Sequence, residues 1–123
     1  MNTQTGYTTL EYNGEQIPFK FGTNAYALYC EMHGIDLYQI PETGLFGKTE
    51  GDKVLEAPSI LRLRELFFCA YRAACLISGT EQKYNLYQVT ECIEQSDITV
   101  LQDAMLKGSV IGAGRGNPQQ PAV

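Results

Sequence analysis

Tyr7-Thr-Thr-Leu-Glu-Tyr-Asn-Gly-Glu-Gln-Ile-Pro-Phe-Lys-Phe21 is the stretch whose reading sets the architecture. Asn13-Gly14 at its centre supplies the two positive φ angles of a type I′ turn, whose twist matches a pair of antiparallel strands. A β-hairpin over residues 7–21 is therefore expected. Alternation places Ile17, Phe19 and Phe21 on one face, and Pro18, having no N–H, suits a strand with one open side. One face must pack while an edge stays exposed.

Downstream of Gly22, Thr23 or Asn24 is placed to accept the first free N–H groups of a helix running to about His33. Ala25, Leu28, Tyr29 and Met32 fall at i, i+3, i+4, i+7, a stripe expected to cover the Phe face of the hairpin. Gly34 is a left-handed stop, and His33 in the last turn suits the helix dipole. Ile35, Leu37 and Ile40 form a short apolar return, read as a second brief helix. Residues 41–58, between Pro41 and Pro58, hold Gly44, Gly47 and Gly51 among several acids, with Leu45, Phe46, Val54 and Leu55 as the large apolar side chains. They read as a long loop and the first place to seek a binding role.

Pro58 stands near the start of a helix through Ser59 to Ile77 that stops at Ser78-Gly79. Ile60, Leu63, Phe67, Ala70, Tyr71 and Ala74 make one stripe, and Leu61, Leu66, Phe68, Cys75 and Ile77 spread around most of the rest. A helix apolar on nearly all sides is either central or buried against another chain. Asn85 is placed to cap a helix through Leu86, Val89, Cys92 and Ile93; Ser96 or Asp97 is placed to cap another through Val100, Leu101, Ala104 and Met105. From Gly108 the glycines and prolines sustain no regular element, which predicts a flexible tail over 112–123. The fold class is thus α+β, mainly α: one domain over residues 1–111, with an N-terminal β-hairpin packed on a bundle of about four helices.

At 123 residues with 44% hydrophobic content, the chain matches a single folded unit and argues against wholesale disorder. Its net charge of -5 repels phosphate backbones and anionic headgroups, so neither nucleic acid nor membrane is an expected partner. Met1 to Tyr7 lacks the basic and apolar regions of a secretory signal, and the apolar run Leu66–Ile77 is interrupted by Arg72 and too short to cross a bilayer. Cys30, Cys69, Cys75 and Cys92 lie in hydrophobic segments and read as reduced core thiols.

With His33 the single histidine, a thiol catalyst is confined to Cys30 and His33, at i, i+3 with no third orienting group apparent. Zinc would need Cys30, His33 and two of Cys69, Cys75 and Cys92, without the usual paired spacing at both ends. Val110 to Asn117 partly matches a dinucleotide fingerprint, but Asn117 takes the place of the third glycine and Pro118 follows where a helix is required. No catalytic residue, metal or cofactor is assigned, and an enzyme is disfavoured. Eight Tyr and five Phe in so short a chain make binding the better functional class.

The segment Phe19-Lys-Phe-Gly-Thr-Asn-Ala-Tyr-Ala-Leu-Tyr-Cys-Glu-Met-His-Gly-Ile-Asp-Leu37 resembles the tail assembly chaperones of long-tailed bacteriophages, in which a small hairpin ends in an aromatic-x-Phe-Gly run followed by a helix and a Gly-Ile-x-Leu-like step. The match spans about Leu10 to Ile40; beyond it the likeness is one of layout, and Gly44 to Gly51 lies outside the pattern. The resemblance implies a non-enzymatic chaperone of the host cytoplasm, not expected in the mature virion. It would bind the long helical tape measure protein, keep it soluble and promote assembly of the tail tube protein around it. Family members self-associate, implying a homo-oligomer, and many of their genes also yield a longer product by frameshifting. Leu45, Phe46, Phe68, Tyr71, Tyr84 and Tyr87 are the candidate partner-binding residues, chosen by type and position. The alternatives are a structural head-tail or tail completion component of the virion and, behind it, a small thiol or metal-dependent enzyme using Cys30 and His33.

Overall fold

The computed structural model describes residues 6–96 and 98–108; the tail expected at 112–123 and the alternative cap Asp97 lie outside them. Strands β1 (Tyr7–Tyr12) and β2 (Glu15–Lys20) pair antiparallel with Tyr12 opposite Glu15 and Leu10 opposite Ile17. Between them Asn13 and Gly14 adopt φ 53° and 80°, the geometry that the Asn-Gly pair predicts. Because the pairs flanking a two-residue turn exchange hydrogen bonds alternately, Pro18 opposite Thr9 turns its missing N–H away from β1 and interrupts no ladder bond. Ile17, Phe19 and Phe21 are buried together, as the alternation requires.

Helix α1 (Thr23–His33) follows, then a 3₁₀ helix (Leu37–Thr43), a second ribbon of β3 (Lys48–Glu50) and β4 (Lys53–Glu56), and helices α2 (Ile60–Ser78), α3 (Leu86–Glu94) and α4 (Ile98–Gly108). This is an α+β, mainly α architecture with an N-terminal hairpin followed by helices. Helix ends obey local chemistry. Gly34 and Gly79 stop α1 and α2 in the left-handed region. The Ser59 hydroxyl accepts the Arg62 N–H at the start of α2, and Asn85 and Gln88 form a reciprocal capping box on α3 at 2.9 Å each way. At α1 the cap differs from expectation. Gly22 takes the position, and its carbonyl accepts the Tyr26 N–H while neither Thr23 nor Asn24 caps.

The packing corrects the order of layers. The hairpin face lies on α2 rather than α1, with Phe21 edge-on to Phe67 at 5.8 Å between centroids and Phe19 tilted on Tyr71 at 6.4 Å. Helix α1 packs on another side of α2, while α3 and α4 approach β1. Accordingly α1 buries Ala25, Tyr26, Tyr29 and Cys30, and Met32 of the expected stripe is exposed. Full burial of Phe19 or Phe21 contributes roughly 1.5–3 kcal/mol each, so the hairpin is held chiefly by its Phe face.

The loop expected over 41–58 is partly ordered structure. The Tyr29 hydroxyl bonds the Thr43 hydroxyl at 2.7 Å, and Thr43 in turn donates to the Ile40 carbonyl. That link pins the end of the 3₁₀ helix and drives Leu45 into the core. The β3–β4 ribbon beyond it is solvent-exposed along its whole length, turns at Gly51-Asp52 and carries an irregularity after Lys48. Its base is tight. A Cβ on Gly47 would lie 2.3 Å from the Glu56 carbonyl oxygen and 2.7 Å from the Pro58 nitrogen, so only glycine fits there.

Candidate functional site

The six aromatic and apolar candidates do not form one surface. Leu45 and Tyr71 are buried, the latter 2% exposed, and both are withdrawn as surface residues. Phe46 and Phe68 are half-buried and packed against the core, so Phe46 is not the free loop side chain its glycine neighbours suggested. Tyr84 is half-buried as well; Tyr87 alone of the six stands out, 69% exposed.

Three of these candidates belong to an internal strut. Phe68, Tyr71, Tyr84 and Tyr12 follow one another with centroid spacings of 6.2, 6.0 and 5.8 Å, running from α2 to the tip of the first hairpin. The Tyr71 hydroxyl accepts the backbone N–H groups of Lys83 at 2.8 Å and Tyr84 at 3.0 Å, so a core phenol holds the α2–α3 connection. Burial pushes the Tyr71 phenol above its ordinary range. At the outer end the Tyr84 hydroxyl donates to Glu15, whose other oxygen accepts the Lys83 ammonium at 2.7 Å. The hydrogen bond from Lys83, followed by that from Tyr84, holds the Glu15 carboxyl below the usual carboxylate range, and the Glu15 bond raises Tyr84. A groove of about 690 Å³ runs beside this strut, between β2 and the end of α2, with Lys20, Glu81 and Lys83 on its rim.

Exposed large apolar residues include Leu37, Tyr38, Val54 and Leu55 ahead of α2 and four on α2 itself. Ile60 is 75% exposed and Leu61 accompanies it at the start; Leu76, 66% exposed, and Ile77 stand at the end. Ile60 heads the apolar stripe expected along α2, but that stripe is buried only from Phe67 onward. The available signal was the helix's all-round apolarity, which leaves more hydrophobic surface than one side of a helix can bury. Beside Ile60 a second, narrower groove of about 270 Å³ opens between α2 and α3, lined by Leu63, Arg64, Phe67, Thr90, Ile93 and Glu94. The Arg64 guanidinium stands over the Tyr87 ring, 5.6 Å from its centroid.

Of the pair Cys30 and His33, the histidine is engaged by α2. The imidazole Nε2 lies 2.8 Å from Glu65 on α2, which also pairs with Arg62 at 2.8 Å, and its ring rests against Tyr29. Glu65 is the orienting group that sequence spacing could not supply, yet it tethers two helices through the histidine. Burial, with Asp36 adding to it, raises the Cys30 thiol, and burial pushes Cys69 up to about 12, the opposite of what a thiolate nucleophile requires. Among the described residues no group of three or more His, Cys, Asp or Glu is placed to hold a metal ion, and no helix is long and apolar enough to cross a membrane. Comparison with protein-family models, with curated proteins and with solved structures returned no match.

Proposed function

We propose that this chain is a non-enzymatic, self-associating chaperone of the tail assembly kind. It engages the apolar stripes of a long helical tape measure protein, keeps that protein soluble and promotes tail tube assembly around it, in the host cytoplasm and apart from the mature virion. One observation carries the reading: the central helix α2 exposes large apolar side chains at both ends, Ile60 with Leu61 and Leu76 with Ile77. Single exposed hydrophobics are ordinary on any protein, whereas pairs grouped on one helix mark a surface that meets another apolar surface. The resemblance of Phe19–Leu37 to the chaperone family supplies the class of partner. The raised, buried thiols and the structural pairing of His33 support the non-enzymatic part.

Co-expression with the long coiled-coil protein encoded beside it tests the proposal. Wild type is expected to move that protein from the pellet to the supernatant. Leu76→Asp and Tyr87→Asp, both at exposed positions, are expected to fold by circular dichroism and to lose the effect, because a charge enters an apolar contact. Wild type that solubilises no such protein, together with detection of the chain in purified particles by mass spectrometry, overturns the chaperone in favour of the structural virion component.

A further inference from the structure

We infer that the groove between α2 and α3 seats one amphipathic α-helix of a partner protein, apolar side inward, with a carboxylate on its flank set against Arg64. This rests on the protein-binding reading above and specifies the seat and the chemistry of its occupant. The α2 wall is Ile60, Leu63, Arg64 and Phe67, an i, i+3, i+4, i+7 ridge, and the α3 wall is Thr90, Ile93 and Glu94 at the same kind of spacing. Two helical ridges beside a furrow are the surface into which a third helix packs its own ridge. From Ile60 to Phe67 the α2 wall runs about 10 Å at 1.5 Å per residue, so the seat takes roughly two turns.

The polar groups of the groove select the occupant. Thr90 donates its hydroxyl to the Leu86 carbonyl and Ser96 donates to the Cys92 carbonyl, so both hydroxyls are already used by α3. The walls are helices whose backbone groups bond within themselves, leaving no ladder for an extended peptide. A helix, satisfied internally, enters such a groove without stranding its own backbone. Arg64 is the exception to this saturation. Its guanidinium rests on the Tyr87 ring, and among the described residues it makes no ion pair. A carboxylate on the incoming flank supplies the opposite charge to the guanidinium. Glu94 on the far wall, also without an ion pair among the described residues, opposes a second acidic flank and so gives the seat a polarity.

The test uses the full chain and three stapled helical peptides of about 15 residues, four turns long. All carry Leu at i, i+3, i+4 and i+7 and differ only at one flanking position, which is Glu, Gln or Arg. By fluorescence anisotropy the Glu peptide is expected to bind wild type about tenfold tighter than the Gln peptide, the ratio that about 1.4 kcal/mol produces. Arg64→Glu is expected to reverse the order in favour of the Arg peptide, and Ile60→Asp to weaken all three, with folding checked by circular dichroism. Amide shifts on binding are expected at Thr90 and Ile93. Equal affinities for the three peptides, binding to none, shifts confined to the Lys83 side of the molecule, or self-association abolished by Ile60→Asp would each overturn the proposal, the last by giving the groove to a second copy. The two readings separate cleanly: if Ile60→Asp still solubilises the coiled-coil partner on co-expression, the chaperone stands and this seat falls. If the peptides bind as expected but no coiled-coil partner is solubilised, the seat stands and the tail assembly assignment falls.

Discussion

Replacing Tyr71 by Phe isolates one oxygen atom. The ring is kept, and with it the contacts to Phe19, Phe68 and Tyr84; what disappears is the hydroxyl that accepts the N–H groups of Lys83 and Tyr84. Each such bond contributes about 0.5–1.5 kcal/mol net, and water reaches the exposed Lys83 more readily than the half-buried Tyr84, so the expected loss is about 1–2 kcal/mol. In a domain of this size that lowers Tm by roughly 5–10 °C. Tyr12→Phe is the control, since Tyr12 meets Tyr84 by its ring and its hydroxyl bonds nothing among the described residues. Amide exchange locates the effect: protection at Lys83 and Tyr84 is expected to fall well before that of Val89 in α3. The pH dependence adds a signature. Burial raises the Tyr71 phenol in the folded state, so its contribution is fully present below the ordinary tyrosine range and is lost as pH rises through the raised value. The gap between wild type and variant should therefore close in alkali. A Tm within about 2 °C of wild type, with unchanged exchange at both amides, would refute the idea that this phenol clamps the connection.

Gly47→Ala forces a Cβ into the Glu56 carbonyl at a positive φ and is expected to cost more than about 1–3 kcal/mol, read as a lower urea midpoint and faster proteolysis within residues 48–56; an unchanged midpoint would show that the ribbon shifts freely. Because Lys83 and then Tyr84 lower the folded Glu15 carboxyl, its contribution is present above the unfolded carboxylate range and fades as pH falls through the lowered value. Comparing wild type with Glu15→Gln by urea midpoint should give a small, salt-sensitive gap at neutral pH that closes in acid, and a gap that widens in acid contradicts the assignment. For the edge-on pair Phe21 and Phe67, a double-mutant cycle through Phe21→Leu and Phe67→Leu should show a coupling of about 0.5–1.5 kcal/mol, and strict additivity would mean that the rings do not interact directly.

The parts of the fold that were legible in the sequence are those set by chemistry within a few residues. Asn13-Gly14 specifies a turn by its own backbone preference; Gly79, Gly34 and Asn85 end helices by caps that need no distant partner. The same logic was available and unused at Gly51-Asp52. That pair is itself a two-residue hairpin signal, but the flanking Lys48-Thr-Glu50 and Lys53-Val-Leu-Glu56 lack the apolar alternation that makes a strand recognisable. The ribbon is exposed on both faces, so no buried side imposed a pattern on its sequence. Long-range choices were less visible. Whether α1 or α2 covers the Phe face depends on competing apolar stripes of similar quality, and α2, longer and apolar all round, takes the hairpin on one side and α1 on another.

The exposed apolar ends of α2 differ in kind from the candidate residues, five of which are buried or packed against the core. Aromatic type alone does not mark a binding face here: Tyr71 and Tyr84 each have a polar end and a large ring, which suits them to join core and connection, and both hydroxyls are engaged, one by backbone N–H groups and one by Glu15. Aliphatic side chains carry no such handle. With Leu66, Phe67, Cys69, Ala70, Tyr71, Ala73, Ala74 and Cys75 buried along α2, Ile60, Leu61, Leu76 and Ile77 at its ends remain exposed. This apolar surplus lies at the ends of α2, where the hairpin and α1 leave it uncovered, and one of those ends opens onto the furrow that Arg64 and Glu94 mark with opposite charge.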